Sequence, residues 1–266
     1  IDCCCVRRRD VASLPSLPKA TRCYTHRCNP SAAAEKIALL LRLVAAQRAA
    51  AAMSHAGASP HWERMWKGGL PKGAAFDCGE ASPSLVSELR SVPAPKPGAR
   101  ALVPGCGRAY DALALARHGF DAVVAVDLSP SAVAAAKAEL ASTGDAAASK
   151  VELVCADFFA LDEKTPYDLV WDATFLCALD PSVRGRWAAK HRALLAPGGS
   201  LITCVFPICE KAGGPPYAMS KPLVAGLLEP AGFAKVRERD CGPGDKHTAG
   251  GASLGGPGTA VVAWTK

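Results

Sequence analysis

A short glycine turn between two apolar runs constrains the fold of this chain more than any other feature. Residues 101–103 are apolar and lead into Gly105-Cys106-Gly107, and a second apolar run over 122–126 ends at Asp127. With a helix predicted over 109–118, the order is strand, tight turn, helix, strand, with an acid at the tip of the second strand. Glycines let a ligand approach the backbone, a helix start offers free N–H groups, and such an acid can accept both hydroxyls of a ribose.

This unit is compatible with a dinucleotide or with S-adenosylmethionine (SAM) as its ligand. A strict dinucleotide fingerprint has a third glycine for close packing of the helix on the strand, and Tyr110 occupies that position here. The substitution disfavours a nicotinamide cofactor. A strand–helix–strand unit that is buried and binds no ligand is the remaining alternative.

The rest of the chain continues the alternation of strands and helices. Further strands are predicted over 151–154, 168–171, 201–206, 233–239 and 260–264, and helices over 83–89, 130–141, 181–195 and 221–228. This pattern predicts an α/β fold, with a seven-stranded, mostly parallel sheet and helices on both faces.

Several candidate ligand-binding residues follow the predicted strands directly. Gly105, Asp127, Asp157 and Asp172 all stand at carboxyl ends of strands, where ligands of such sheets bind. Asp157 with Phe158 suits an adenine, because a carboxylate accepts from the exocyclic amine and a ring packs on the purine. A loop aspartate beside a core phenylalanine is the alternative interpretation.

Two tryptophans precede this body of the fold. Trp62 and Trp66 are four residues apart and share a face if the segment is helical. They either pack on the core or belong to a helical lid over the ligand, where aromatic faces would attract the sulfonium cation of SAM.

The first 58 residues are expected to be a disordered, transit or leader segment that lies outside the domain of residues 59–266. Up to residue 60 the chain is rich in Ala, Arg and Ser, with nine Lys or Arg and three Asp or Glu, which is typical of transit peptides. Residues 32–52 have the composition of an alanine-rich helix. The first methionine is Met53. Translation from Met53 would predict a cytoplasmic protein, and a transit peptide over 1–52 would predict the chloroplast or another organelle.

Composition bounds the possible partners. The net charge of +7 is concentrated before residue 61, so the folded part has no electrostatic support for nucleic-acid binding. No long uncharged apolar run suggests a membrane span. The 12 cysteines include no Cys-x-x-Cys pair and predict no metal site, and a reducing intracellular compartment is favoured. The histidines, among them His61, His118, His191 and His247, are scattered and are interpreted as ordinary.

Several strings of this chain together resemble a known family. The strings Val103-Pro104-Gly105-Cys106-Gly107, Asp127-Leu128-Ser129, Asp157-Phe158, residues 171–181 and Gly213-Gly214-Pro215-Pro216-Tyr217 resemble plant and algal thiol/halide methyltransferases. These belong to the thiopurine S-methyltransferase family of class I SAM-dependent enzymes. The resemblance covers roughly residues 60–240 and implies a single Rossmann-like methyltransferase domain over 59–266, preceded by an N-terminal helical lid.

The resemblance also implies roles for individual residues. Trp62, Trp66 and Phe76 would line the SAM site, with Phe76 standing where the family usually has a third tryptophan. Gly105 would pass under the methionine part of SAM, Asp127 would hold the ribose, and Asp157 and Phe158 would frame the adenine. Asp172 would lie near the methionine end, and Phe175 and Tyr217 towards the acceptor.

The implied reaction is transfer of the SAM methyl group to a soft nucleophile: a halide, thiocyanate, hydrosulfide or a small thiol. Such an anion needs no general base, so no single residue is assigned as catalytic. Plant members usually have Tyr where Ala173 stands, which leaves room for larger heteroaromatic thiols as an alternative. A SAM-binding protein without turnover is a second alternative. A small anionic or thiol substrate, no nucleic acid, no membrane and a monomeric chain are expected.

Overall fold

The computed structural model describes residues 59–162, 164–247 and 258–266, all within one compact unit. The expected leader over 1–58, the helix expected over 32–52 and most of the glycine-rich loop over 242–258 lie outside the described residues. No helix in the described ranges is long and apolar enough to cross a membrane.

A seven-stranded sheet forms the centre of the molecule, in the order β3-β2-β1-β4-β5-β7-β6. Only β7 runs against its neighbours β5 and β6, and the other pairings are parallel. The strands are β1 (Arg100–Pro104), β2 (Ala122–Asp127), β3 (Val151–Cys155), β4 (Tyr167–Ala173), β5 (Leu195–Ile208), β6 (Ala234–Asp240) and β7 (Gly258–Thr265).

Six α-helices are described around this sheet. They are α1 (Ser59–Lys67), α2 (Pro83–Leu89), α3 (Tyr110–His118), α4 (Pro130–Thr143), α5 (Arg184–Leu194) and α6 (Lys221–Leu228). The start of α4 follows directly from sequence: the hydroxyl of Ser129 accepts from the backbone N–H of Ala132 at 3.1 Å, and Pro130 takes the first turn.

Each face of the sheet carries its own hydrophobic core. Leu102 on β1 belongs to one core with Trp187 of α5 and Leu228 of α6, and its neighbours Ala101 and Val103 belong to the other. Side chains alternate between the faces of a strand, so a strand that is apolar throughout requires helices on both sides. The predicted architecture is therefore confirmed, including the helix α1 ahead of the sheet.

The boundaries differ from the predictions by one or two residues at several elements, and more substantially in two places. Pro181–Val183 is a separate 3-10 turn, and α5 starts at Arg184. Strand β5 begins at Leu195 and carries the Pro197-Gly198-Gly199 turn as an irregularity opposite β4, rather than starting at residue 201. Pairing with Tyr167 of β4 overrides the local turn signal.

Candidate active site

A cavity of about 510 Å³ lies beyond the carboxyl ends of the parallel strands. That volume suits a small-molecule ligand. At the β1–β2 end of the cavity stand Gly105, Gly107, Asp127 and Leu128; at the β4–β5 end stand Ala173, Phe175, Phe206, Pro215 and His247. The sheet therefore brings the predicted turn and segments from the second half of the chain to one place.

The glycine turn at the β1–β2 end leaves no room for side chains. Gly105 has a φ of +61°, and a Cβ there would meet Cδ2 of Phe175 at 2.7 Å. Gly107 has a φ of +51°, and its Cβ would meet the Trp66 ring at 3.3 Å. Glycine is required at both positions by backbone conformation and by the aromatic rings that close over the turn.

Asp127 is held in one orientation by the backbone. Its Oδ2 accepts from the N–H of Gly107 at 3.0 Å and its Oδ1 from the N–H of Ser129 at 2.9 Å. Burial raises the pKa of this carboxyl, and the two N–H bonds oppose that shift. Each oxygen retains acceptor capacity for a further donor, as a ribose contact requires.

Helix α1 closes the cavity with aromatic side chains. Trp62 and Trp66 line it and pack edge-on against Phe76, with ring centroids 5.5 Å and 5.7 Å apart. Trp66 combines the two interpretations of the tryptophan pair. It is 7% exposed and so packs in the core, and it also lines the cavity.

Glu63 ties this helix to the start of α4. Its carboxylate accepts from the hydroxyl of Ser129 at 2.6 Å, and from the hydroxyl and N–H of Ser131 at 2.7 Å and 3.2 Å. These bonds hold the pKa of Glu63 below its usual value. Sequence reasoning did not single out Glu63, because its partners lie 66 and 68 residues away.

Arg108, next to the glycine turn, makes a second set of contacts with the segment between α1 and α2. Its Nε donates to Asp77 at 2.7 Å and its Nη2 to the carbonyl of Leu70 at 2.7 Å, while its guanidinium lies 5.5 Å from the Trp66 ring. The segment that carries Phe76 is thereby attached to the glycine turn.

The β4–β5 end is largely apolar. Phe175 packs against Phe158 with ring centroids 5.1 Å apart, and both line the cavity. Thr174 adopts a φ of +58°, a conformation that a β-branched residue takes only when its surroundings impose it. Pro215 and Pro216 of the Gly-Gly-Pro-Pro-Tyr string also line this end, and each follows a cis peptide bond.

Three predicted site residues stand apart from the cavity wall. Asp172 is 1% exposed and accepts from Nε1 of Trp187 at 2.7 Å, from the N–H of Leu176 at 3.2 Å, and lies 3.3 Å from Nε2 of His191. It thereby supports the segment that follows β4. Its assignment next to the methionine part of SAM stays a prediction.

The other two are Asp157 and Tyr217. Asp157 caps the 3-10 turn Phe158–Ala160 by accepting from the N–H of Phe159 at 2.9 Å. The Tyr217 N–H donates to the carbonyl of Cys177 at 2.8 Å, and its ring lies 5.3 Å from the guanidinium of Arg184. Their proposed contacts with adenine and acceptor also stay predictions.

Sequence reasoning missed His247, which it treated as ordinary. This residue is 6% exposed, lines the cavity, and packs against Phe206 at a ring tilt of 56° with centroids 4.5 Å apart. The Sγ atom of Cys78 lies 3.6 Å from its Nδ1 and 3.8 Å from its Nε2. No local pattern marks this pair, since 169 residues separate its members.

The charge of the wall favours a cation. Among the lining residues that the structure describes, the acids outnumber the one arginine, Arg108; the acids are Asp77, Glu80, Asp111, Asp127 and Asp180. Together with the aromatic rings, they suit a sulfonium ligand. The residues present therefore fit SAM. In the described ranges, no group of three or more His, Cys, Asp or Glu is arranged to hold a metal ion.

Comparison with known families decides the identity of this arrangement. A family model described as thiopurine S-methyltransferase (TPMT) matches residues 58–253, which include every described residue lining the cavity. The chain belongs to this family. It is a SAM-dependent methyltransferase, as the strings in its sequence predicted.

Curated relatives agree with the family model. "Probable thiol methyltransferase 2" from Arabidopsis thaliana is 37% identical over 178 residues, covering 66% of this chain and 74% of that protein. "Thiocyanate methyltransferase 1" from Brassica oleracea is 36% identical over 176 residues, with the same coverage. "Thiopurine S-methyltransferase" from Pseudomonas fluorescens (strain SBW25) is 36% identical over 143 residues, covering 49% and 65%.

Solved structures share the fold of this methyltransferase at low sequence identity. The glycopeptide N-methyltransferase MtfA superposes with a TM-score of 0.55 at 18% identity, covering 71% of this chain and 96% of MtfA. The [4+2]-cyclase SpnF reaches 0.56 at 20% identity, covering 76% and 90%. Since a cyclase and a methyltransferase share it, the fold alone does not define the reaction.

Proposed function

We propose that this methyltransferase transfers the methyl group of SAM to small, soft sulfur nucleophiles, above all thiocyanate and small thiols. The observation that carries the proposal is the 36–37% identity to plant proteins named thiol and thiocyanate methyltransferases. Halides and hydrosulfide share the soft, polarisable character of these acceptors and belong to the same proposed range.

The β1–β2 end of the cavity is the proposed SAM site. Trp62, Trp66, Phe76 and Phe158 would surround the ligand, while Gly105 and Asp127 would meet its methionine and ribose parts. When bound, SAM supplies an electrophilic methyl group on a sulfonium sulfur. The aromatic wall and the buried carboxylates attract this cation and exclude water from it.

The residues at the β4–β5 end would then position the acceptor. Phe175 packs over Gly105, so its ring stands between the two ends of the cavity. An aligned nucleophile in an apolar, water-poor pocket reacts faster because its orientation is set and its hydration shell is removed. This explains how catalysis proceeds on anionic acceptors without an acid or base.

Purified residues 53–266 with SAM test this proposal directly. Thiocyanate, iodide and hydrosulfide are supplied separately, and volatile methylated products are measured in the headspace. Methyl thiocyanate is the expected product. SAM binding without any volatile product would instead favour a larger thiol acceptor or a protein that binds SAM without turnover.

A larger heteroaromatic thiol is the second candidate acceptor. Ala173 lines the cavity and leaves space there, and relatives named thiopurine S-methyltransferase are 31–36% identical. Ala173→Tyr is expected to lower kcat/KM for a bulky aromatic thiol about tenfold, because the ring fills this space, and to leave thiocyanate within about twofold. Equal effects on both acceptors would contradict this use of the space.

The remaining expectations concern the whole chain. We propose that it acts as a monomer, which sedimentation velocity tests. The region over 1–58 is proposed as a leader, and fluorescent fusions that start at Ile1 or at Met53 would distinguish an organelle from the cytoplasm.

A further inference from the structure

We propose that His247 is the proton acceptor for thiol substrates that enter the cavity in their protonated form. The inference rests on the proposed function, and it assigns a catalytic residue to one class of its acceptors. Thiocyanate and halides carry no proton, so they would react without this residue.

The position of His247 suits such a role. It lies at the β4–β5 end beside Phe206, and its backbone N–H donates to Oγ1 of Thr259 at 3.3 Å. The segment that precedes it is anchored, since Arg239 binds both Asp245 and Glu88 of α2. The imidazole is therefore held in the cavity wall.

The neighbourhood of His247 already accommodates a thiol. Sγ of Cys78 stands 3.6–3.8 Å from the two ring nitrogens. That separation is within reach of an S–H hydrogen bond, so a ring nitrogen of His247 can accept from a sulfhydryl group at this place in the wall. Burial lowers the pKa of His247 to about 4, which leaves the ring neutral and able to accept a proton near pH 7.

The chemistry of a neutral thiol explains why a weak base is sufficient. The acceptor sulfur forms a bond to the methyl carbon while the bond from that carbon to the sulfonium sulfur breaks, and the electron pair of that bond neutralises the sulfonium. The acceptor sulfur becomes positively charged and strongly acidic as its bond forms. Its proton then passes to a ring nitrogen of His247, which leaves a thioether and an imidazolium.

The test compares two acceptors in one variant. His247→Gln is assayed at pH 6.5 with 2-mercaptoethanol, which is then protonated, and with thiocyanate. We expect kcat/KM to fall about 100-fold for the thiol and to stay within about twofold for thiocyanate. At pH 9.5 a large fraction of the thiol is ionised, and the variant is expected to recover most of its activity on it.

His118→Gln is the matched control, because His118 is a partly exposed histidine at the end of α3 that does not line the cavity. This control variant should leave kcat/KM unchanged for both acceptors. Equal losses on both acceptors in His247→Gln would reveal a structural role and overturn the inference, as would the absence of any loss.

A second measurement does not depend on turnover. In protein labelled with ¹³C-histidine and saturated with S-adenosylhomocysteine, the His247 ring signal is assigned by its loss in His247→Gln. Addition of 2-mercaptoethanol should shift this signal, and an unchanged signal would overturn the inference. Wild-type protein that methylates neither acceptor would overturn the proposed function, whereas wild-type protein that methylates thiocyanate but shows no shift of the ring signal would overturn the inference alone.

Discussion

The β1–β2 end of the cavity is built from one short stretch of chain, whereas the β4–β5 end draws on several distant ones. Residues 105–127 supply the glycine turn and the acid of the first end, with α1 closing over them. The second end combines the segment after β4 with Phe206, Pro215 and His247, and Cys78 lies against it. In the proposed assignment, a local motif contacts the cofactor and a long-range assembly contacts the acceptor.

This difference indicates that acceptor specificity can change at the β4–β5 end without a change in the cofactor site. The β4–β5 end contains Ala173 and the pair of Cys78 with His247. Replacing any of these residues changes neither the glycine turn nor Asp127. Changes at the two ends should therefore separate into effects on SAM and effects on the acceptor.

The largest expected effect comes from Asp127→Asn. Replacing the carboxylate by an amide leaves one acceptor oxygen for Gly107, Ser129 and a ribose, so SAM binding should weaken about 100-fold. The thermal shift produced by SAM measures this loss. Asp162→Asn changes an exposed acid between β3 and β4 and should preserve the full shift. A normal shift in Asp127→Asn would refute the ribose assignment.

The next effect concerns the β4–β5 end and its response to pH. The folded-state pKa of His247, about 4, lies below its ordinary value of 6.5, so its stabilising contribution is present above pH 6.5 and is lost as the pH falls towards 4. Between pH 7 and pH 5 the wild type should lose about 2 kcal/mol of unfolding free energy from this group, and His247→Gln should not.

Urea unfolding at both pH values measures this difference. Burial raises the pKa of Asp111 and of Asp127, which acts in the opposite direction, but equally in both proteins. Identical pH dependence of the two proteins would show that His247 titrates normally.

Gly105→Ala tests the contact between the two ends. The new Cβ would stand 2.7 Å from the Phe175 ring, so the ring must move into the cavity. Gly144→Ala is the matched control, because Gly144 has a φ of +64° and open space around it. We expect a loss of about 1 kcal/mol in the control and about 2 kcal/mol in Gly105→Ala, from denaturant unfolding. Equal losses would mean that Phe175 is not displaced.

The smallest effect is expected at the tie between α1 and α4. Glu63→Gln removes the charge that binds Ser129 and Ser131, so α1 should open more often and SAM should bind about fivefold more weakly. KM for the acceptor should be unchanged. A double-mutant cycle with Ser131→Ala isolates this contact, and additive effects in calorimetric SAM binding would exclude it.

The α/β fold, the cofactor and the family could be predicted because their signals are local. The alternation of strands and helices, the Gly105–Gly107 turn and Asp127 depend on residues close together in the chain. The Pro197-Gly198-Gly199 segment failed as a strand boundary because pairing with β4 outweighed its local preference.

By itself, the sequence determined the order of the elements and the turn at the β1–β2 end, since backbone conformation and apolar periodicity are written in consecutive residues. Only the tertiary structure decided that Asp172 meets Trp187 and His191 in the core, and that His247 meets Cys78 in the cavity. The physical reason is tertiary packing: α5 lies against the end of β4 at Asp172, and β7 lies beside β5, which brings His247 to Phe206 and to Cys78.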